Sequence, residues 1–227
     1  MKTTATAPVI PSGANDSIIP ASELPGPLGA AALARMGILV PLDGTGGYLA
    51  SQARTVHGRA GIIQAMLPSA STACATLALW VWIGGEFPPN LQIVSHSHFR
   101  AAVYGRRIQV YDRKLDDRDR SRLGRLWVTS PARTACDLAC AKPGRFDGLN
   151  VPNAIVELIR EFGVTVDECL QLLWDNPRWP GHARGIGLLT RIGDTQPDLR
   201  SPEFRDPMFR DPEFPKPAGK TLGKDPS

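Results

Sequence analysis

A change of sequence character near the middle of the chain, over residues 111–138, is the feature that most constrains the fold. A run of alternating charges ends at Arg125 and is followed by a short apolar stretch, residues 126–128, which predicts a β-strand. Ser130 and Pro131 come shortly after this stretch. A serine hydroxyl can accept a backbone N–H from the first turn of a helix, and proline is tolerated at the first helical position. The sequence therefore predicts a strand that leads almost directly into a helix.

The predicted helix that begins at Pro131 has one apolar face and one charged face. Small residues at helical spacing are expected to be buried, namely Ala132, Ala135, Cys136 and Ala139. Arg133 and Asp137 lie on the other face and are expected to be exposed. One interpretation is a solvated ion pair within the helix, which contributes about 0.2–0.5 kcal/mol. The other is that both side chains belong to a surface that binds a partner.

Residues 128–138 read V-T-S-P-x-R-T-x-x-D-L and follow a basic, charge-dense segment. This motif resembles the AbiEi-type antitoxin family, the regulatory half of type IV toxin–antitoxin pairs, in its actinobacterial form. Residues 35–41 and 46–48 are similar to the wing of the winged helix in that family. Residues 152–192 resemble a later part of the family pattern, in which a helix, a V-T-x-x-E sequence and a Gly/Arg-rich helix follow one another. The resemblance covers about residues 28–205.

The resemblance implies a cytoplasmic antitoxin, not an enzyme, that neutralises a cognate nucleotidyltransferase-type toxin without needing a stable complex. It also implies a transcriptional autoregulator that binds DNA through the winged helix. No cofactor and no metal are expected. Two alternatives stay open: a DNA-binding regulator without an antitoxin role, and a degenerate relative of a Vsr-like endonuclease. The second alternative arises because residues 201–205 resemble the junction after which longer relatives continue into an endonuclease domain.

The sequence predicts an α/β fold of the α+β type in four segments. Residues 1–23, rich in Thr, Ala, Ser and Pro, and residues 196–227, which contain a P-x-F-R-D repeat, are expected to be unstructured. Residues 24–51 are expected to form a truncated winged-helix remnant, a helix followed by a hairpin with a Gly-rich turn. Residues 52–195 are expected to form the antitoxin domain, a small mixed sheet packed with helices.

Within these segments, the residue pattern predicts three strands in the larger domain, at residues 91–94, 108–111 and 126–128. Helices are predicted at residues 28–36, 52–67, 70–80, 152–162 and 181–192. Another helix is predicted to begin at Pro131. A further helix is predicted to follow Thr165, which can form a capping box with Glu168.

The net charge of +4 is distributed unevenly along the chain. Residues 98–145 contain 12 Lys and Arg but only 5 Asp, which indicates a basic patch suited to nucleic acid or another anionic partner. Alternatively, the interleaved Arg and Asp side chains pair with one another on a solvated face. The candidate partner surface comprises Arg106, Arg107, Arg113, Lys114, Arg133 and Asp137.

The predicted wing carries little positive charge. Arg35 is the one basic residue between Thr3 and Ala53, and Pro41 stands where the family often has an arginine. Phosphate contacts from Lys and Arg supply much of the affinity of proteins for DNA. The remnant, represented by Arg35 and Tyr48, is therefore expected to keep the structure of a wing while losing much of its affinity for DNA.

The cysteines and histidines leave two interpretations open. Cys136 and Cys140 are one helical turn apart, and the neighbouring His96 and His98 are expected to point to one face of a strand. A Cys2His2 zinc site is therefore conceivable. Buried, reduced thiols that pack as small hydrophobic groups in a reducing cytoplasm are the favoured interpretation.

Several catalytic and membrane signatures are missing from the sequence. It contains no phosphate-binding loop, no nucleophile elbow and no zinc-protease motif. The most apolar run, residues 73–85, is shorter than the roughly 20 residues that a membrane-spanning helix needs. The sequence therefore favours a binding protein over an enzyme, and predicts no membrane partner.

Overall fold

Two β-sheets and seven α-helices organise the part of the chain that the computed structural model describes, residues 17–97, 99 and 102–200. The predicted α+β class is confirmed. The helices are α1 (Gly26–Arg35), α2 (Val56–Met66), α3 (Ala75–Ile83), α4 (Pro131–Ala139), α5 (Val151–Phe162), α6 (Val166–Trp174) and α7 (His182–Thr195). The strands are β1 (Ile19–Pro20), β2 (Leu39–Asp43), β3 (Gly46–Leu49), β4 (Thr72–Ala73), β5 (Asn90–Val94), β6 (Arg107–Tyr111), β7 (Arg120–Leu123) and β8 (Leu126–Thr129).

The N-terminal sheet has the strand order β1-β3-β2 and is antiparallel throughout. The predicted helix and hairpin are confirmed as α1, β2 and β3. The hairpin turn is closed by the Asp43 carboxylate, which accepts hydrogen bonds from the backbone N–H and the hydroxyl of Thr45 at 2.8 and 2.7 Å. This side-chain mimicry of a turn is typical of aspartate.

The expectation that residues 1–23 are unstructured is wrong for β1, where Ile19 pairs with Gly47. Gly46, the neighbour of Gly47, permits this close approach, since a Cβ at Gly46 would lie 2.9 Å from the carbonyl oxygen of Ile19. A two-residue strand has no signature in its own sequence, because the partner strand supplies its hydrogen bonds. Residues 1–16 lie outside the described residues.

The larger sheet has the strand order β6-β5-β4-β8-β7. β5 and β6 are parallel, as are β4 and β8, while the other two pairs are antiparallel. The three predicted strands are confirmed as β5, β6 and β8. Strand β7 is not predicted from the sequence, because the alternating charges of Arg120 and Arg122 resemble those of a solvated loop. In the sheet these arginines lie over the ring of Trp127 on β8, at 4.5 and 5.6 Å from its centroid.

The predicted helix at residues 70–80 is wrong in its first part. Thr72 and Ala73 are buried and form β4, which lies between β5 and β8. Helix α3 begins only at Ala75, and its second residue, Thr76, donates its backbone N–H and its hydroxyl to the side-chain oxygen of Gln92 on β5. The contacts with two neighbouring strands outweigh the local helix propensity of this alanine-rich segment. The predicted helix at 52–67 likewise divides, into a short 3-10 turn and α2.

Helix α4 is the central helix of the layer that covers the larger sheet, and it contacts α3, α5, α6 and α7. Every residue from Arg133 to Ala139 is buried, whereas Ala132 is half-buried. Small side chains on α4 and its partners allow the close packing. At Gly185 of α7, for example, an added Cβ would lie 2.6 Å from the sulfur of Cys140.

Three of the predicted helix boundaries agree with the observed caps. Ser130 precedes α4, and its hydroxyl accepts the backbone N–H of Arg133 at 3.3 Å. Thr165 and Glu168 form the predicted capping box of α6, with hydrogen bonds of 2.9 and 3.1 Å. Gly163 ends α5 with a φ of 60°, the left-handed conformation that glycine adopts without steric cost. None of the helices in the described residues is long and apolar enough to cross a membrane.

The expectation that residues 196–227 are unstructured is wrong at its beginning. Residues 197–199 form a 3-10 turn in which Leu199 is buried. The guanidinium of Arg200 then pairs with Asp167 and Asp194, each at 3.1 Å. These contacts attach the chain after α7 to the helical layer. The P-x-F-R-D repeat lies outside the described residues.

Replacing Ser130 with alanine removes the side-chain acceptor at the start of α4. We expect the free energy of unfolding to fall by about 1 kcal/mol, the usual cost of losing an N-cap. Urea denaturation followed by circular dichroism measures the difference. Ser130→Asp keeps an acceptor and serves as the control, so equal stabilities of the Ala and Asp variants would contradict the capping role.

Candidate functional site

A buried guanidinium lies at the centre of the candidate site. Arg133 on α4 donates from Nε to Oδ1 of Asp137, one turn further along the helix, and from Nη1 to Oδ2 of Asp119, both at 3.1 Å. Its side chain is 1% exposed, and those of the two aspartates are 5% exposed. The expectation that Arg133 and Asp137 are exposed is therefore wrong. The segment before β7 supplies Asp119 and covers the charged face of α4.

Two further side chains complete this group. The indole ring of Trp179, in the loop between α6 and α7, lies 3.7 Å from the guanidinium carbon of Arg133. Arg113, just after β6, donates from Nη1 to the same oxygen of Asp137 at 3.1 Å. We call Arg113, Asp119, Arg133 and Asp137 the Arg133 cluster. Its two cations and two carboxylates are formally neutral in sum, which limits the cost of burying them.

The six residues of the predicted partner surface do not form one surface. Arg106 donates from Nη1 to the carbonyl oxygens of Leu42 and Tyr104 at 2.7 and 3.1 Å, and its guanidinium lies over the ring of Phe87. It therefore connects the N-terminal sheet to the rest of the structure. Arg133 and Asp137 are buried in the Arg133 cluster, so these three side chains are largely withdrawn from solvent.

The other predicted surface residues are accessible but separated. Arg107 is exposed at the start of β6, and Lys114 is 91% exposed beyond the end of that strand, 3.6 Å from Asp116. The intervening residues span about 20 Å in extended conformation. Arg113 is partly exposed and belongs to the Arg133 cluster. Arg107 and Lys114 thus remain candidates for contact with a large partner.

The two wing residues have different environments. Arg35 is exposed at the end of α1. Tyr48 on β3 is 4% exposed and packs against Trp80 and Phe87, with ring centroids 6.0 Å away in both cases. Burial raises the pKa of the Tyr48 hydroxyl above its ordinary value. Tyr48 therefore contributes to the hydrophobic core, and Arg35 alone is accessible to a partner.

The interleaved charges between Asp116 and Arg122 agree only in part with the second interpretation of the basic patch, because most of their partners lie outside this segment. Arg120 pairs with Asp117 at 2.8 Å. Arg118 pairs with Asp175, just after α6, at 3.2 Å. Because each of these arginines has a carboxylate partner, this segment contributes little free positive charge.

A recess of about 290 Å³ opens beside the Arg133 cluster, and we call it the basic recess. It is formed by the end of β6, the start of α3, the end of α4 with the loop that follows, and the start of α7. Its charged lining residues are Arg113, Asp137, Lys142, Arg145 and Arg184. The carboxylate of Asp137 already lies between Arg113 and Arg133, so the lining has an excess of positive charge.

Three cations of the basic recess have no carboxylate partner within the described residues. Arg145 donates from Nη2 to the hydroxyl of Tyr111 at 3.2 Å, and Arg184 donates from Nη1 to the carbonyl oxygen of Cys140 at 2.7 Å. Lys142 has neither a hydrogen bond nor an ion pair in that part of the chain. All three side chains belong to exposed residues. We call Lys142, Arg145 and Arg184 the rim cations.

The rim cations are not among the candidate site residues predicted from the sequence. Lys142 and Arg145 lie on either side of a Pro-Gly pair directly after α4, where basic residues usually belong to a solvated turn. Arg184 follows much later in the chain, on the first turn of α7. The packing of α7 against α4 brings the three cations together, and no local sequence pattern predicts this proximity.

The cysteines beside the recess are neutral thiols. Burial, and secondarily the charge of Asp137, raises the pKa of Cys140 to about 11. The same two causes raise the pKa of Cys74 well above its ordinary value. Neither side chain therefore adds negative charge to the basic recess at neutral pH. A non-glycine residue in the left-handed conformation, Ala75 with a φ of 50°, also lines it.

The conceivable zinc site does not assemble among the described residues. Cys136 is buried, and its thiol donates to the carbonyl oxygen of Cys169 at 3.3 Å. His96 lies exposed beyond β5, where its Nδ1 is 3.0 Å from Asp112. His98 lies outside the described residues. Across the described ranges, no three His, Cys, Asp or Glu side chains converge in a way that could hold a metal ion.

A second recess, of about 390 Å³, has mixed charge. Arg54, Arg59, Glu157 and Glu161 are among its lining residues. Arg59 is buried and donates to the carbonyl oxygens of Ala53, Val81 and Trp82 at 2.9, 2.9 and 2.6 Å. It therefore satisfies backbone acceptors at the end of α3, which is a structural role.

The fold and the site define a mixed α/β protein with a buried ion cluster beside a basic recess. Comparison of the chain with protein-family models, with curated proteins and with solved structures found no match.

Replacing Arg133 with methionine leaves Asp119 buried without a cation and Asp137 with Arg113 alone. Removing one partner of a buried ion pair strongly destabilises a protein, so we expect the free energy of unfolding to fall by about 3–5 kcal/mol. Urea denaturation measures the loss. Arg125→Met, at an exposed position outside the cluster, should change stability by no more than about 0.5 kcal/mol. A loss below about 1 kcal/mol for Arg133→Met would refute the central role of the cluster.

The raised pKa of Cys140 predicts a pH dependence of stability. Because the folded-state pKa of about 11 exceeds the ordinary value of 9.0, the unfolded chain loses this proton first as pH rises. The contribution of the neutral thiol is thus present below about pH 9 and is lost as pH rises toward about 11. Urea denaturation under reducing conditions at several pH values in this window should show a shallower decline for Cys140→Ala than for the wild type. Parallel declines would exclude the assignment.

Proposed function

We propose that the chain is a non-catalytic antitoxin of a type IV toxin–antitoxin pair, which restrains a nucleotidyltransferase-type toxin in the cytoplasm. The support comes from the motif at residues 128–138 and from what its polar residues do. Ser130 caps α4, and Arg133 and Asp137 form the Arg133 cluster. The hydroxyls of Thr129 and Thr134 lie within hydrogen-bond distance of each other at 2.8 Å, both fully buried.

The single observation that carries the proposal is that every polar side chain of the motif has a defined partner inside one structural unit. A short string of residues can match a family pattern by chance. Such a match is more informative when cap, ion cluster and hydroxyl pair all support the same local fold, because consistency between local and tertiary structure characterises evolved sequences. The polar residues of the motif thus all contribute to one local fold of this chain, and this consistency supports the proposal.

The proposed contact surface for the toxin is the exposed part of the predicted set, Arg107 and Lys114. Both are accessible, and their separation, from the start of β6 to beyond its end, suits a large acidic surface better than a small ligand. Arg106, Arg133 and Asp137 instead support the fold and are proposed to act only through it.

A repressor role receives no comparable support from the N-terminal sheet. The charged residue of the β2–β3 hairpin is Asp43, and Pro41 is exposed on β2. An acidic hairpin repels phosphate groups. Arg35, at the end of α1, is the basic side chain nearest in sequence to the hairpin. The antitoxin role is therefore proposed without a requirement for DNA binding.

Co-expression with the product of the adjacent gene, which the proposal predicts to be a nucleotidyltransferase, tests the proposal. We expect the full chain to restore growth of cells that produce the toxin, and Arg107→Gln/Lys114→Gln to restore it less well. Arg35→Gln/Arg125→Gln removes the same charge from other exposed positions and should behave like the wild type. A catalytically inactive toxin provides the baseline for growth. Continued toxicity in the presence of the folded full chain, verified by circular dichroism, would refute the antitoxin role.

A further inference from the structure

We propose that the basic recess is a binding site for a small phosphorylated compound of the nucleoside monophosphate class. The rim cations would contact the phosphate group, and the apolar floor would contact the ring-bearing remainder of the molecule. The site is independent of the antitoxin proposal, because none of the residues assigned to toxin contact lines it.

The charges of the recess favour an anionic ligand. The Arg133 cluster is neutral in sum, whereas Lys142, Arg145 and Arg184 have no carboxylate partner in the described residues. Like charges held around a concave surface raise its positive potential and repel one another, and a bound anion relieves that repulsion. Among the described residues, Asp137 is the one carboxylate in the lining, and its charge is compensated by Arg113 and Arg133.

The rim arginines are positioned in advance for such a ligand. The bond from Arg145 to Tyr111 and the bond from Arg184 to Cys140 fix the direction of each guanidinium. A guanidinium has five N–H donors, so most donors of each arginine remain available. Arginine binds phosphate through paired, charge-assisted hydrogen bonds, and lysine adds a mobile point charge. Preorganised donors reduce the entropic cost of binding.

The remainder of the lining favours a ligand that is more than a free anion. Cys74, Ala75, Cys140 and Phe146 provide apolar or neutral groups on the inner surface. A small inorganic ion would leave this surface in contact with water. An attached ring would cover it, and burial of apolar surface contributes to affinity.

The size of the recess limits the ligand further. A volume of about 290 Å³ lies at the lower end of the range of roughly 300–1,000 Å³ for small-molecule sites. One mononucleotide is therefore the appropriate scale, and a long polymer would have to bind mostly outside the recess. Because the recess opens to solvent, the affinity should be moderate and should fall with salt.

Titration calorimetry of the full chain with AMP, GMP, CMP and UMP at low ionic strength tests the site. We expect at least one of them to bind with 1:1 stoichiometry and a Kd below about 1 mM. Inorganic phosphate and the matching nucleoside should each bind more weakly, because each offers only one half of the ligand. A single-stranded RNA oligomer without terminal phosphate groups serves as the macromolecular comparison.

Matched variants locate the bound nucleotide. Lys142→Gln/Arg145→Gln should weaken binding by about tenfold or more, as should Arg184→Gln, because each removes charge-assisted contacts to phosphate. Arg35→Gln/Arg125→Gln removes the same net charge as the first variant and should weaken binding less than about twofold. Thermal unfolding monitored by circular dichroism verifies that each variant is folded.

Three results would overturn the proposal. The first is a Kd above about 1 mM for all four mononucleotides. The second is equal weakening in the recess variant and its charge-matched control, which would indicate attraction by net charge alone. The third is tighter binding of the RNA oligomer than of any mononucleotide, with the same sensitivity to the recess variants, which would assign the surface to single-stranded nucleic acid.

Discussion

The burial of one guanidinium, that of Arg133, is the constraint on which the surrounding structure depends. A charge removed from water is tolerated only when opposite charges and hydrogen bonds replace the solvent. Asp137 is placed for this by the helix itself, one turn away on α4. Asp119 must come from the segment before β7, and Trp179 from the loop between α6 and α7. Satisfying one side chain therefore determines how a strand, a central helix and a helix–helix loop are arranged.

The same constraint shapes the candidate binding surface. Within the cluster, Asp137, which also lines the recess, pairs with Arg113 and Arg133, so it does not compensate the charges of the rim cations. The packing of α7 against α4, made possible by Gly185, brings Arg184 to the loop that carries Lys142 and Arg145. The positive potential of the recess thus has two causes: the number of basic residues that line it, and the pairing of Asp137 within the Arg133 cluster.

Helix caps, short strands and site residues differ in how well they can be predicted from the sequence. The start of α4 at Ser130, the capping box of α6 and the end of α5 at Gly163 were all predicted, since caps depend on side chains within one turn. Strands β5, β6 and β8 followed from apolar runs. β1, β4 and β7 were missed, because they are short or charged and owe their structure to a partner strand. Three site residues, Arg113, Arg133 and Asp137, are predicted from the sequence. The exposure predicted for Arg133 and Asp137 is wrong. The three rim cations are not predicted.

The sequence by itself determined part of the local structure: where α4 and α6 begin, where α5 ends, where the hairpin turns, and that both α and β elements are present. Those features depend on interactions between residues a few positions apart, which composition and spacing reveal directly. Only the tertiary structure decided that the charged face of α4, with Arg133 and Asp137 at i,i+4 spacing, is buried. It also decided that the three rim cations lie around one recess. Burial of a charge and convergence of cations both depend on partners distant in the chain, and no local pattern encodes the partner that covers a given face.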